Sequence, residues 1–86
     1  MISPDPSAVF RVLEDGGVIL NVESGAYFEV NASGRFIWET LEDGVERNDL
    51  IKAMATNFDI SSDRAAADVD AFLTDLDERS LVTGVE

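Results

Sequence analysis

The spacing of apolar residues changes once along the chain, dividing it into a strand-forming first third and a helical remainder. Residues 7–13, SAVFRVL, are rich in β-branched and aromatic side chains and run into Asp15-Gly16-Gly17, a turn signal. In VILNV, residues 18–22, Val18, Leu20 and Val22 alternate with Ile19 and Asn21 before Ser24-Gly25 breaks the run. In AYFEV, residues 26–30, Ala26, Phe28 and Val30 alternate with Tyr27 and Glu29. A period of two is that of a strand, so three short strands joined by tight turns predict an antiparallel meander. Pro4 and Pro6 make residues 1–6 a loose extended segment ahead of it.

From Asn31 onward the period lengthens to that of a helix. Asn31 is a good N-cap, and Phe36, Ile37, Thr40 and Leu41 fall on one face before Asp43-Gly44 stops the run, which predicts a helix over about residues 32–42. Gly34 in its first turn is unfavourable by about 1 kcal/mol relative to alanine, so this helix is expected to depend on tertiary packing. Leu50, Ile51, Met54 and Phe58 mark a second helix over about residues 48–57. Ser61 or Ser62 caps a third over about residues 62–80, with Ala65, Val69, Phe72, Leu73 and Leu76 inward and Asp63, Asp70, Thr74 and Asp77 toward water. The tail, residues 81–86, has no assigned place. The predicted fold is α+β and winged-helix-like, a three-stranded antiparallel sheet followed by three helices in one domain spanning residues 1–86.

Composition narrows the chemistry. With 45% hydrophobic and 28% charged residues the 86-residue chain is ordinary for a folded domain. It has neither cysteine nor histidine, which removes thiolate chemistry, the commonest general base and the commonest zinc ligands. An enzyme is not expected, nor a metal or other cofactor. A net charge of −12 disfavours nucleic acid and anionic membrane, whose binding depends on Lys and Arg. No apolar run approaches the roughly 20 residues of a membrane span, and a cytoplasmic location is expected. The acids of the third helix, Asp63, Asp68, Asp70, Asp75, Asp77 and Glu78, read first as a solvated face and secondarily as an attractant for a basic peptide. Trp38 reads as a half-buried core aromatic.

Three stretches taken together, GGVILNVESGAYFEVNASGRFIWETLEDG, LIKAMATNFDIS and VDAFLTDLDERSLV, resemble the PqqD-like family of peptide-recognition domains for ribosomally made, post-translationally modified peptides. The resemblance rests most on the third strand and its junction with the first helix, Tyr27, Phe28, Val30, Asn31, Ser33 and Gly34, with Asp43-Gly44, Leu76 and Leu81 in matching places. Where the family has a Thr or Ser cap on the second helix this chain has Arg47, and Asn48 is the candidate replacement.

The resemblance implies a non-catalytic module that binds the leader of a precursor peptide and presents it, chaperone-like, to a separate maturation enzyme such as a radical enzyme, a protease or a cyclase. The leader would add as a strand to Ala26, Tyr27, Phe28, Glu29 and Val30 and rest against Ala65, Asp68, Val69, Phe72 and Leu76 of the third helix. An open sheet edge is a row of unpaired backbone groups suited to such addition. Phe28 and Val30 also read simply as core. Because successive amides in a strand point to opposite edges, proline at Tyr27 or at Glu29 is expected to separate peptide pairing from sheet integrity. Two rivals are weaker. A winged-helix DNA binder would need a basic recognition helix, whereas the third helix has two arginines against a surplus of acids; an acyl or peptidyl carrier would be all-helical, with a phosphopantetheine serine that Asp59-Ile60-Ser61 does not reproduce.

Overall fold

The computed structural model describes residues 1–85. The predicted meander is β2 (Ala8–Leu13), β3 (Gly16–Asn21) and β4 (Tyr27–Val30), and the helices are α1 (Ala32–Leu41), α2 (Arg47–Phe58) and α3 (Ser62–Glu78). Two short strands lie outside that plan, β1 (Ser3–Pro4) and β5 (Val82–Thr83), which pair antiparallel with each other. The sheet order is β2-β3-β4, so β3 is central and β4 has one neighbour only. The result is the expected α+β, winged-helix-like arrangement. Its stranded N-terminal third is foreign to an all-helical carrier, and no helix among the described residues is long and apolar enough to cross a membrane.

The helices cover one face of the sheet. Ile19, Trp38, Leu41, Leu50, Val69, Leu76 and Leu81 are fully buried between the layers. Trp38 is therefore inside the core rather than half-buried, and Phe10 packs beside it with ring centres 6.3 Å apart. Of the alternation in β3, the inward set is Gly17, Ile19 and Asn21, while Leu20 is left exposed.

Three sequence expectations need correction. Residues 1–6 are anchored: Ile2 is 5% exposed and bridges Val45, and Ser3 and Pro4 pair with Thr83 and Val82, so both ends of the chain close the core beside the α1–α2 connection. Gly16 and Gly17 belong to β3, and the turn is Glu14-Asp15. Glycine is required at Gly17 by close approach, since a Cβ there would meet the Phe10 ring at 2.5 Å. Finally, α2 starts at Arg47 after Glu46, and the cap expected from Asn48 is absent, no side chain bonding to its first amides. What Arg47 does instead is join α2 to α3, its Nε and Nη2 donating to the two carboxylate oxygens of Asp70 at 2.8 and 2.6 Å.

The other caps agree with the sequence reading. Asn31 accepts from the Gly34 amide at 3.0 Å and Ser61 from the Arg64 amide at 3.2 Å. The glycine at position 34 has a packing cause, because a Cβ would meet the Phe72 ring at 2.9 Å and the Val30 Cβ at 3.0 Å. Strand β4 runs straight into α1, and α3 crosses so near that junction that no side chain fits at Gly34.

Candidate functional site

The backbone of β4 has two unlike edges. Asn21 donates to the Ala26 carbonyl and Val22 to the Ser7 carbonyl, which fixes the phase of both ladders. Odd-numbered β3 residues bond toward β4, so the Ile19–Phe28 and Gly17–Val30 pairs exchange hydrogen bonds and the Leu20–Tyr27 and Val18–Glu29 pairs do not. The amides and carbonyls of Tyr27 and Glu29 therefore point away from the sheet, toward solvent. Since these residues are two apart they share one edge, and the expectation that proline at one or the other would separate the two edges is corrected. The separating pair is Phe28, which faces β3, and Glu29, which faces out.

Beside that free edge lies α3. Phe28 is half-buried and packs on Phe72 of α3, ring centres 5.7 Å apart. The Arg79 guanidinium lies over the Phe28 ring, 4.5 Å from its centre, and is held there by donation from Nη1 to the Asp75 carbonyl at 2.9 Å. An open cavity of about 560 Å³ begins at the β4–α1 junction, where Asn31, Ser33 and Gly34 line it. Its walls are Met54, Phe58 and Ile60 from α2 and its end, and Arg64, Asp68, Phe72 and Asp75 from α3. Phe58 is kept at the rim by an edge-on contact with Phe36 at 5.4 Å.

Of the residues singled out in the sequence, Phe72 and Asp68 line this groove and Phe28 adjoins it through its contact with Phe72, with Tyr27 and Glu29 exposed on the β4 edge and Ala26 half-buried just before it. Val30 is buried, its Cβ against Gly34. Ala65, Val69 and Leu76 are fully buried and offer no surface, because at this crossing distance the apolar stripe of α3 is consumed by the core. Three features escape the sequence pattern. Arg79 reads there as no more than one of two cations on an acidic helix. Phe58 and Ile60 read as core or loop, although Phe58 ends its helix next to a left-handed Asp59, φ 52°, a geometry that leaves it at the surface. Asn21, at an inward strand position, gives the signal of a buried polar side chain: its Nδ2 donates to the Ser80 carbonyl at 2.8 Å and its Oδ1 accepts from the Glu23 and Ser24 amides at 2.9 and 3.1 Å. That residue locks the turn before β4 to the segment that follows α3.

The charge in the groove is nearly balanced. Asp68 lies 3.9 Å from Arg64 and Asp75 lies 3.8 Å from Arg79, each one helical turn apart. The Arg47 guanidinium, hydrogen-bonded to Asp70, holds that carboxyl below the ordinary aspartate range, and its own pKa is raised by the same bond. The pair is on the far side of α3 from the cavity and outside its lining.

Solved structures share this arrangement. TbiB1 in complex with the TbiA(beta) leader peptide is similar with a TM-score of 0.89 at 25% identity, covering 98% of this chain and 98% of that one. A lasso peptide synthetase B1 complexed with the leader peptide is similar in fold, with a TM-score of 0.82 at 23% identity over 96% of this chain and 98% of that one. No curated protein sequence gave a match. The family model for coenzyme PQQ synthesis protein D (PqqD) matches residues 16–82, from the start of β3 to the start of β5, and the chain belongs to that family.

Proposed function

We propose that the domain recognises the leader of a ribosomally made precursor peptide by strand addition to β4, and presents it to a separate modifying enzyme without itself performing chemistry. The observation that carries this reading is the free edge of β4 beside an open groove walled by α3. TbiB1, similar over nearly the whole chain, is itself a leader-peptide complex.

Magnitudes divide the work between edge and groove. Tyr27 and Glu29 offer four outward backbone groups, and at about 0.5–1.5 kcal/mol net per hydrogen bond these supply roughly 2–6 kcal/mol. Micromolar affinity needs about 8 kcal/mol after the loss of translational freedom. Edge pairing alone falls short. Apolar side chains of the peptide, each contributing about 1.5–3 kcal/mol when buried, must therefore enter the groove beside Phe72, Phe58 and Ile60. The edge sets register and the groove sets selectivity.

The test is a titration of ¹⁵N-labelled domain with synthetic peptides covering the N-terminal halves of the short open reading frames that neighbour its gene. The expected result is shifts in the amides of residues 27–31 and of the groove-facing positions Asp68, Phe72 and Asp75. Absence of shifts at both the edge and α3 at saturating peptide would overturn the reading.

A further inference from the structure

The helices cover only one face of the sheet. On the other, strand register aligns Val9 of β2, Leu20 of β3 and Tyr27 of β4 in a single row, with Arg11, Val18 and Glu29 in the next. Val9 is 51% exposed, Leu20 37%, Tyr27 68% and the neighbouring Val22 60%. Single exposed apolar residues are ordinary on a protein surface, but a contiguous apolar row across all three strands of a sheet is the mark of an interaction site. Leu20 carries most weight here. It is on the central strand of the sheet, flanked by β2 and β4, and no described element covers it.

We propose that this outer face docks the modifying enzyme, through a patch of the enzyme that is apolar at its centre and basic at its rim. Two observations select that occupant, and the first rests on the leader-recognition reading. A peptide added to β4 puts alternate side chains on this same face, next to Tyr27 and Glu29, because side chains in a sheet alternate in phase across its strands. The row Val9, Leu20, Tyr27 then continues into the peptide, and a protein seated on the row touches its substrate at once. The second is charge: Glu14 and Asp15 in the turn at one end of the sheet, Glu23 in the turn at the other and Glu29 between them outnumber Arg11 on the face and Arg35, which donates to the Glu14 carbonyl at that turn. A second copy of a chain with net charge −12 would bring like charges together, whereas a basic rim would be attracted.

The experiment compares wild type with Leu20→Lys and Val9→Lys, neither residue being on the β4 edge. Binding to the synthetic leader is measured without enzyme, and binding to the purified modifying enzyme encoded alongside is measured by interferometry. The variants are expected to bind leader within about twofold of wild type and to lose roughly tenfold or more in enzyme affinity. Leu20→Thr, which keeps strand propensity while removing apolar surface, is expected to show a smaller loss in the same direction; it serves if lysine unfolds the sheet. Leader binding intact with enzyme affinity unchanged in both lysine variants and Leu20→Thr would overturn the docking face alone, whereas no leader binding by wild type would overturn the recognition reading. Sedimentation of wild type as a dimer that Leu20→Lys dissociates would assign the face to a second copy and overturn the proposal.

Discussion

At the scale of single residues, Asn21 does more for the site than any side chain lining it. The residue is 5% exposed, and its side-chain amide makes one bond to the Ser80 carbonyl after α3 and accepts two from the turn that launches β4. Replacing it with leucine leaves a carbonyl and two amides without partners, each worth about 1–3 kcal/mol if they stay dry. Asn21→Leu is therefore expected to lower stability by about 2 kcal/mol or more in denaturant unfolding, and to broaden the amide signals of residues 22–26. A variant as stable as wild type would mean that water replaces the side chain without loss. The alternation of VILNV announced an asparagine on the face opposite Leu20, but not which face was inward. That was decided by the burial of Ile19 and by the room that Gly17 makes for Phe10, neither of which a pattern of two can express. The same limit explains why Val69, Ala65 and Leu76 read as groove residues. Helical periodicity identifies a stripe, and how much of it the core consumes depends on the crossing of α3 over the sheet.

Among the elements, β4 is where fold and proposed function share one backbone. Its length, its position and the Asn31 cap that turns it into α1 were all legible, because turn residues and caps are local signals. Its direction of bonding was not, since the phase of a ladder is set by the partner strand. With that phase known, proline becomes a probe. Glu29→Pro removes an amide that points to solvent and is expected to abolish leader binding with little change in the unfolding midpoint, apart from the strain of fixing φ near −65° in a strand. Phe28→Pro removes an amide bonded to Ile19 and is expected to destabilise the whole meander, by about 3 kcal/mol or more. Binding isotherms and melting curves on the two proteins read the difference directly. Equal loss of stability in both would show that the assigned phase is wrong.

For helix against helix, the Arg47–Asp70 pair ties the uncapped start of α2 to α3. The sign of its pH dependence is set by the depressed carboxyl: Asp70 binds a proton less readily when folded than when unfolded. The pair therefore stabilises the fold above the ordinary aspartate range, and its contribution is lost as pH falls through the folded value. Both groups are about half exposed, so solvent screens them and the effect is small. Asp70→Asn is expected to lower the melting midpoint slightly at neutral pH, less in molar salt, and not at all in strong acid. A midpoint deficit that persisted in acid would mean that Asp70 acts through packing. Neither Arg47 nor Asp70 advertised the other in sequence, being 23 positions apart with no periodicity linking them.

The charge of the whole molecule acts at longer range than any of these contacts. A net −12 on a small domain sets up a negative field that draws in a cationic peptide and weakens as salt shortens its reach to about 10 Å at 0.1 M. Within the groove the balance is different, because Asp68 and Asp75 each have an arginine one turn away. Association should therefore respond to the overall field, and dissociation to Phe28, Phe72 and the β4 edge. Asp68→Lys separates the two. It changes the local balance by two charges, leaves Arg64 unopposed and touches no core residue, since Asp68 is exposed and its i+1 neighbour Val69 carries the packing. For a leader bearing basic residues near the groove, the association rate is expected to fall several-fold at low ionic strength and its dependence on salt to flatten, with the dissociation rate unchanged within about twofold. Stopped-flow binding between low and physiological salt measures both rates. A slower association whose salt slope is unchanged would mean that lysine obstructs the groove by its size; unchanged rates throughout would mean that the acidic surface maintains solubility and that recognition resides in the apolar groove and the strand edge.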